Sequence, residues 1–319
     1  MLQVLLLLVG FVVLVKGADF LVDGASVIAA RLGISTFIIG LTVVAFGTSL
    51  PELFVNVFAS VDGAEGIAIG NILGSNIANI FLILGVSAII YPLGVMRDTV
   101  RKEIPFSLLV LLIFAVSVND HWADGATRNM ISRSDSLVML AVFILFIYET
   151  FLCAPRNITR TELSENDGKS LLKPAFMVLL GLVMLYFGGR WIVNGAVFIA
   201  RQFGVSENLI GLSVVAIGTS LPELATSAMA AYKHNVDIAV GNVVGSNVFN
   251  VLMVFGISGT LRPIPFDPML NIDLAVAFLA SLLLFVAMFT GRKRVVDRWE
   301  GIVFLLLYVS YVVFLIVRG

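Results

Sequence analysis

Glu52 and Glu223 are the only charged side chains in two long apolar stretches. No other Asp, Glu, Lys or Arg occurs from Leu32 to Val61, and none besides Glu223 from Asn208 to Tyr232. A charge at membrane depth costs roughly 2.5 to 3.5 kcal/mol even on the gentler insertion scales, so a compensating partner is required. Both glutamates sit in the same seven-residue string, GTSLPEL, at Gly47 to Leu53 and at Gly218 to Leu224. The natural partner for this pair of carboxylates is a cation.

The neighbours of each glutamate extend this chemistry. Pro51 and Pro222 each remove a backbone donor, which predicts a break in the helix there, with freed carbonyls that suit hard cations. Ala45, Thr48, Ser49 and Glu52 are spaced to project to roughly one helical face, as are Ala216, Thr219, Ser220 and Glu223. A second motif follows each first one. GNILGSNIAN at 70–79 carries Asn71, Ser75 and Asn79 at every fourth position, and GNVVGSNVFN at 241–250 carries Asn242, Ser246 and Asn250. Each set forms a polar stripe on an apolar helix, and the outer members Asn71 and Asn242 suit either packing or ligation. Gly70 with Gly74, and Gly241 with Gly245, would let a neighbouring helix approach closely. Every donor in this constellation is an oxygen, which favours Na⁺, Ca²⁺, Mg²⁺ or Mn²⁺ over zinc or copper.

The elements that must position these residues follow from composition and repetition. The chain has 319 residues, 59% of them hydrophobic and 13% charged, with a mean hydropathy of +1.05. That apolar content exceeds what a soluble core of this length could bury, and the apolar windows run at helix rather than barrel-strand length. The expectation is an all-α integral membrane protein. The net charge of −1 argues against a nucleic-acid partner, and the one cysteine, Cys153, excludes an internal disulfide or a multi-cysteine metal site. The leucine-rich start lacks the basic residues of a signal peptide.

A shift of 171 residues places Glu52 on Glu223, Gly17 on Gly188, Gly24 on Gly195 and the first Asn/Ser stripe on the second, without a gap. The chain is a duplication. Helices are expected near 2–30, 34–60, 66–91, 104–118 and 137–153, then near 174–202, 206–231, 237–260, 270–290 and 298–317. Five spans per half make the second copy enter the membrane from the opposite side, giving two inverted five-helix repeats, 1–153 and 174–319, with helices two and seven broken. Thirteen Lys and Arg fall in loops on one side (Arg31, Arg97, Arg101, Lys102, Arg156, Arg160, Lys169, Lys173, Lys233, Arg292, Lys293, Arg294 and Arg298) and five on the other (Arg128, Arg133, Arg201, Arg262 and Arg318). This places both termini outside the cell membrane and the polar linker 154–173 in the cytoplasm. Asp19 and Asp23 lie one turn apart beside Lys16, but the offset pairs them with Arg190, Asn194 and Phe187, so they read as local pairing or interfacial residues. His121 and His234 read as solvated loop residues.

With these motifs assembled, the chain resembles the short prokaryotic members of the sodium/calcium exchanger branch of the cation/calcium antiporter superfamily. The resemblance covers nearly the whole chain and rests on the two alpha-repeats, GTSLPEL followed by GNILGSNIAN or GNVVGSNVFN. It implies ten transmembrane helices, with helices two, three, seven and eight packed around the ions and helices one and six sliding across them. It also implies a ligand set: Glu52 and Glu223 as central carboxylates, flanked by Thr48, Ser49, Thr219 and Ser220. The carbonyls of Ala45 and Ala216 and the side chains of Ser75, Ser246, Asn79 and Asn250 complete it. Some relatives, including the potassium-dependent branch, carry Asp where Asn79 or Asn250 stands, so Asn at both positions argues against potassium coupling. The expected activity is antiport of Na⁺ and Ca²⁺ by alternating access, with H⁺/Ca²⁺ or other divalent-cation antiport on the same scaffold as the alternative. No cofactor and no obligatory protein partner is expected beyond the lipid bilayer and the transported ions. No paired nucleophile and base occurs outside the repeats, so an enzyme is not expected.

Overall fold

Long apolar segments withdrawn from water must satisfy their backbone groups internally, and in this chain they do so as helices. The computed structural model describes residues 2–119, 129–152, 170–203 and 216–318. In the first half α1 is Leu2–Leu32, α2 Thr36–Thr48, α3 Leu50–Asp62, α4 Gly66–Ile90, α5 Glu103–Ser117 and α6 Arg133–Leu152. In the second, α7 is Leu172–Gln202, α8 Ala216–Thr219, α9 Leu221–Tyr232, α10 Val236–Leu261, α11 Asn271–Ala287 and α12 Arg298–Arg318.

Among the described residues, 7 helices are long and apolar enough to cross a membrane, and α2 with α3, bent by 44° at Ser49, makes up to 8. This is an all-helical, multi-pass membrane protein. The span expected near 104–118 is the 15-residue α5, and the one expected near 206–231 is represented by α8 and α9, its first part lying outside the described residues. The linker 154–169, Cys153 and His121 also lie outside them.

Local chemistry sets the helix limits around the repeats. The Ser35 hydroxyl accepts the Ile38 amide at 3.3 Å and starts α2, while Gly63, at φ 77°, ends α3 in the left-handed conformation. Two short antiparallel β-pairs tie the helix ends together: Leu93–Gly94 (β1) with Val295–Val296 (β4), and Met130–Ile131 (β2) with Ile264–Pro265 (β3).

Burial divides the helices into a centre and a rim. The apolar window of α10 is 100% buried and that of α4 78%, against 28% for α1 and 33% for α7. The centre is therefore α2, α3, α4, α9 and α10, where both polar stripes lie. On the rim, α1 and α7 pack backbone to backbone. A Cβ on Gly17 would stand 2.9 Å from the Gly181 carbonyl oxygen, and one on Gly10 would stand 2.9 Å from that of Gly188. Since 10 and 17 become 181 and 188 under the 171-residue offset, these contacts are the same contact exchanged between halves. In the centre, Gly241 and Gly245 meet the backbone of Phe37 and Leu41 on α2, as the small-residue spacing predicts. The offset partners of Phe37 and Leu41, residues 208 and 212, lie outside the described residues.

Candidate cation site

The proline of each GTSLPEL string restarts a helix. Pro51 and Pro222 occupy the first turns of α3 and α9, where a helix has no use for the missing donor. Ser49 and Ser220 form the junctions, at φ −84° and −87°. Glu52 and Glu223 consequently fall in the first turns of α3 and α9, at helix N-termini that favour negative charge. Both are buried, 1% exposed, so this favourable field acts in the protein interior.

The two halves interlock around these carboxylates, and most contacts occur twice. Ser49 Oγ donates to Glu223 Oε1 at 3.2 Å, and Ser220 Oγ donates to Glu52 Oε1 at 3.4 Å. Thr48 Oγ1 donates to Asn242 Oδ1 at 3.0 Å, and Thr219 Oγ1 to Asn71 Oδ1 at 3.2 Å. Asn79 Nδ2 donates to Asn247 Oδ1 at 2.8 Å, and Asn250 Nδ2 to Asn76 Oδ1 at 3.0 Å. In each pair of bonds both residues shift by 171, which is the signature of an internal two-fold relation. The serines break it: Ser75 Oγ donates to Glu52 Oε1 at 3.4 Å and lies 3.2 Å from Ser220 Oγ, whereas buried Ser246 Oγ has no partner among the described residues.

At this site four carboxylate and amide oxygens are buried without a donor among the described residues: Oε2 of Glu52 and of Glu223, and Oδ1 of Asn79 and of Asn250. They are two offset-related pairs. An unsatisfied buried polar atom costs about 1 to 3 kcal/mol, more when charged, and four acceptors of one sign call for a shared positive partner. Backbone geometry helps to present the amides. Asn79 opens a π-helical turn, Asn79–Leu84, and Asn250 is the second residue of its equivalent, Phe249–Val254, while α2 carries a third at Gly40–Val44. Such turns insert a residue and re-aim the side chains that follow. Among the described residues no cluster of three or more His, Cys, Asp or Glu occurs, so only two carboxylates and neutral oxygens would surround an ion here.

Other positions refine the sequence reading. Asn242 has its oxygen bound by Thr48 and its amide shared between Ser227 Oγ at 2.9 Å and the Glu223 carbonyl at 3.4 Å. Asn71 likewise accepts from Thr219 and donates to Asn56 Oδ1 at 3.5 Å. The outer stripe members thus brace the site. The Ala45 carbonyl is held by the Ser49 amide at 3.0 Å and by Thr48 Oγ1 at 3.3 Å, so the bend alone does not free it. On the other half the Ser220 amide goes to Ile217 at 3.2 Å. Asn76 and Asn247, which lock the central amides, escaped the every-fourth-residue pattern, although their repetition in both GSN strings marks them. Asp19 does pair with Lys16, at 3.5 Å, but also with Lys233 at 2.5 Å, a contact 214 positions apart. His234, read as a solvated loop residue, packs edge-on against Tyr91 with ring centroids 4.2 Å apart.

The profile of the family described as sodium/calcium exchanger protein matches residues 2–152 and 173–317. The chain is 38% identical to the putative antiporter CaxA of Alkalimonas amylolytica over 312 residues, 95% of each chain. It is 33% identical to the sodium/calcium exchanger MaX1 of Methanosarcina acetivorans over 98% of this chain and 97% of that one. Its fold superimposes on the solved structure of the sodium-calcium exchanger NCX_Mj with a TM-score of 0.84, at 33% identity and covering 98% of both chains.

Proposed function

The chain belongs to the sodium/calcium exchanger family, a prokaryotic branch of the cation/calcium antiporters, and from that premise we propose that it exchanges Na⁺ for Ca²⁺ across the cell membrane by alternating access, without K⁺. The observation that carries the reading is the set of four buried acceptor oxygens of Glu52, Glu223, Asn79 and Asn250 at the junction of the two halves. Ca²⁺ takes six to eight oxygen ligands, and the hydroxyls of Thr48, Ser49, Ser75, Thr219, Ser220 and Ser246, with the carbonyls of Ala45 and Ala216, supply the remainder. One Ca²⁺ neutralises two carboxylates, and so do two Na⁺; a third Na⁺ would rest on neutral oxygens. The empty core, carrying two charges, is poorly suited to cross, which couples one flux to the other.

In this reading each half contributes five spans, 1–153 and 174–319, inverted relative to one another, with α2 and α3 forming the broken second span and α8 and α9 the end of the seventh. In the same reading both termini lie outside the cell and the 154–173 linker in the cytoplasm, which the excess of Lys and Arg in the loops of one side supports.

The test is ⁴⁵Ca uptake into proteoliposomes with Na⁺, K⁺ and H⁺ gradients imposed one at a time. An outward Na⁺ gradient should drive uptake without K⁺, and Glu52→Gln or Glu223→Gln should abolish it. Normal exchange by either variant would remove the site assignment. A second reading, proton-coupled calcium antiport, draws on the same two carboxylates, since two protons also neutralise them. Uptake driven by a pH gradient with no sodium present would select it.

A further inference from the structure

The halves differ in charge where the rim helix α1 meets the C-terminal end of α9, and at the offset-related positions on α7 and at the end of α3 the signs are reversed. Lys233 follows the C-terminus of α9, and its Nζ lies 2.5 Å from Asp19 Oδ1 and 2.6 Å from Asp23 Oδ1, both on α1. It also donates to the Asp19 backbone carbonyl at 3.4 Å. The 171-residue offset turns Lys233 into Asp62, Asp19 into Arg190 and Asp23 into Asn194. A base at the core facing an acid on the rim helix becomes an acid at the core facing a base on the rim helix.

Only the first of these pairs is made in this structure. Asp62 is exposed at the end of α3, and Arg190, also exposed, donates to the Tyr186 hydroxyl at 3.4 Å; among the described residues neither has an ion-pair partner. Arg190 and Asn194 instead line a cavity of about 140 Å³ whose other walls include Pro51, Thr219 and Pro222, next to the glutamate-bearing turns. On the α1 side the offset-equivalent positions Asp19 and Asp23 are bridged to the core by Lys233.

We propose that Asp19–Lys233, with Asp23, and Arg190–Asp62 are reciprocal latches, one closed in each of two access states. The inference rests on the antiport reading above, in which inverted halves exchange conformations around a fixed site. If α7 takes up the relation to the core that α1 now holds, Arg190 arrives at Asp62 while Asp19 leaves Lys233. Coincidental surface pairing would give no reason for complementary charge to survive at both offset-related places with its sign reversed. The strength of such pairs also suits a switch. Lys233 and Asp19 are 23% and 28% exposed, and partly solvated pairs bias a population by about two- to fivefold, enough to favour a state and weak enough to open every cycle. Because α1 and α7 pack backbone to backbone at Gly17 and Gly181, release of one latch and closure of the other would be mechanically linked.

The test uses the full chain in nanodiscs, with Cys153→Ser removing the native thiol and Asn194→Cys reporting whether the α7-side cavity is open. A maleimide should label this cysteine more slowly when Lys233→Gln releases the closed latch and faster when Asp62→Asn disables the other, each shift corresponding to about a two- to fivefold change in the ratio of the two states. The exchanged pair Asp62→Lys with Arg190→Glu should restore the original rate. Should Lys233→Gln fail to fold, Asp19→Asn with Asp23→Asn opens the same latch. Shifts in the same direction, or none in folded protein, would overturn the proposal, because a merely structural role cannot produce opposed effects. Calcium exchange by the wild type is measured alongside: its absence would remove the antiport reading, whereas opposed labelling shifts would still establish the latches.

Discussion

At the scale of single residues, four asparagines on two helices divide into two kinds by what their amides touch. Asn71 and Asn242 are committed to the protein, with oxygen and nitrogen both bound by neighbouring side chains. Asn79 and Asn250 give only their nitrogens, to Asn247 and Asn76, and keep buried oxygens that no donor among the described residues reaches. Identical side chains on one stripe should therefore fail differently. In the proposed site Asn250→Ala removes an oxygen that would face the ion and should raise the calcium KM about tenfold, the equivalent of about 1.4 kcal/mol. Asn242→Ala takes from buried Thr48 its 3.0 Å acceptor and from buried Ser227 its 2.9 Å donor, and should lower stability by about 1 to 3 kcal/mol while moving KM less. Calcium-dependent uptake and thermal melts on both variants decide; equal effects on KM would mean that the outer asparagines ligate as well.

At the scale of elements, prolines and glycines govern where the oxygens end up. The restart of α3 at Pro51 and of α9 at Pro222 aims two helix N-termini at the site, while the α1–α7 pair is held by contacts that leave no room for a side chain. A Cβ on Gly181 would lie 2.8 Å from both the Gly17 oxygen and the Leu21 nitrogen, and backbone cannot step aside as a flexible side chain can. Gly181→Ala should thus separate the pair and cost about 1 to 3 kcal/mol of stability, read as a lower melting temperature of the purified protein. An unchanged melting temperature would show that α1 and α7 are less tightly joined. Much of this was legible beforehand. Charge-free windows located the glutamates, the repeat offset aligned the halves, and Gly241 with Gly245 announced a close helix contact. The π turns at Asn79 and Phe249 were not legible, because no residue type signals one. The reach of Lys233 to Asp19 was equally hidden: the two lie 214 positions apart, and the same-residue symmetry that marked the ion motifs is replaced there by reversed charge.

At the scale of the whole molecule, the interlocking bonds make the candidate ion site a property of neither half alone. Ser49 of the first half holds Glu223 of the second, and Ser220 holds Glu52, so a change of charge at either carboxylate is felt through both sets of helices. That arrangement fixes the sign of the response to acid. In the proposed exchange Ca²⁺ needs both carboxylates ionised, and a proton on either one competes directly with it. Lowering pH should therefore weaken apparent calcium affinity, with uptake at saturating Ca²⁺ much less affected, because excess ion displaces the protons. The same competition should appear with Na⁺, since it shares these oxygens. In sodium-driven ⁴⁵Ca uptake measured from about pH 8 to pH 5, the calcium KM should rise as pH falls. A KM constant across that range would mean that the carboxylates do not bind the transported ion. A fall in maximal rate at constant KM would place the proton's effect on the movement of the halves and away from the site they share.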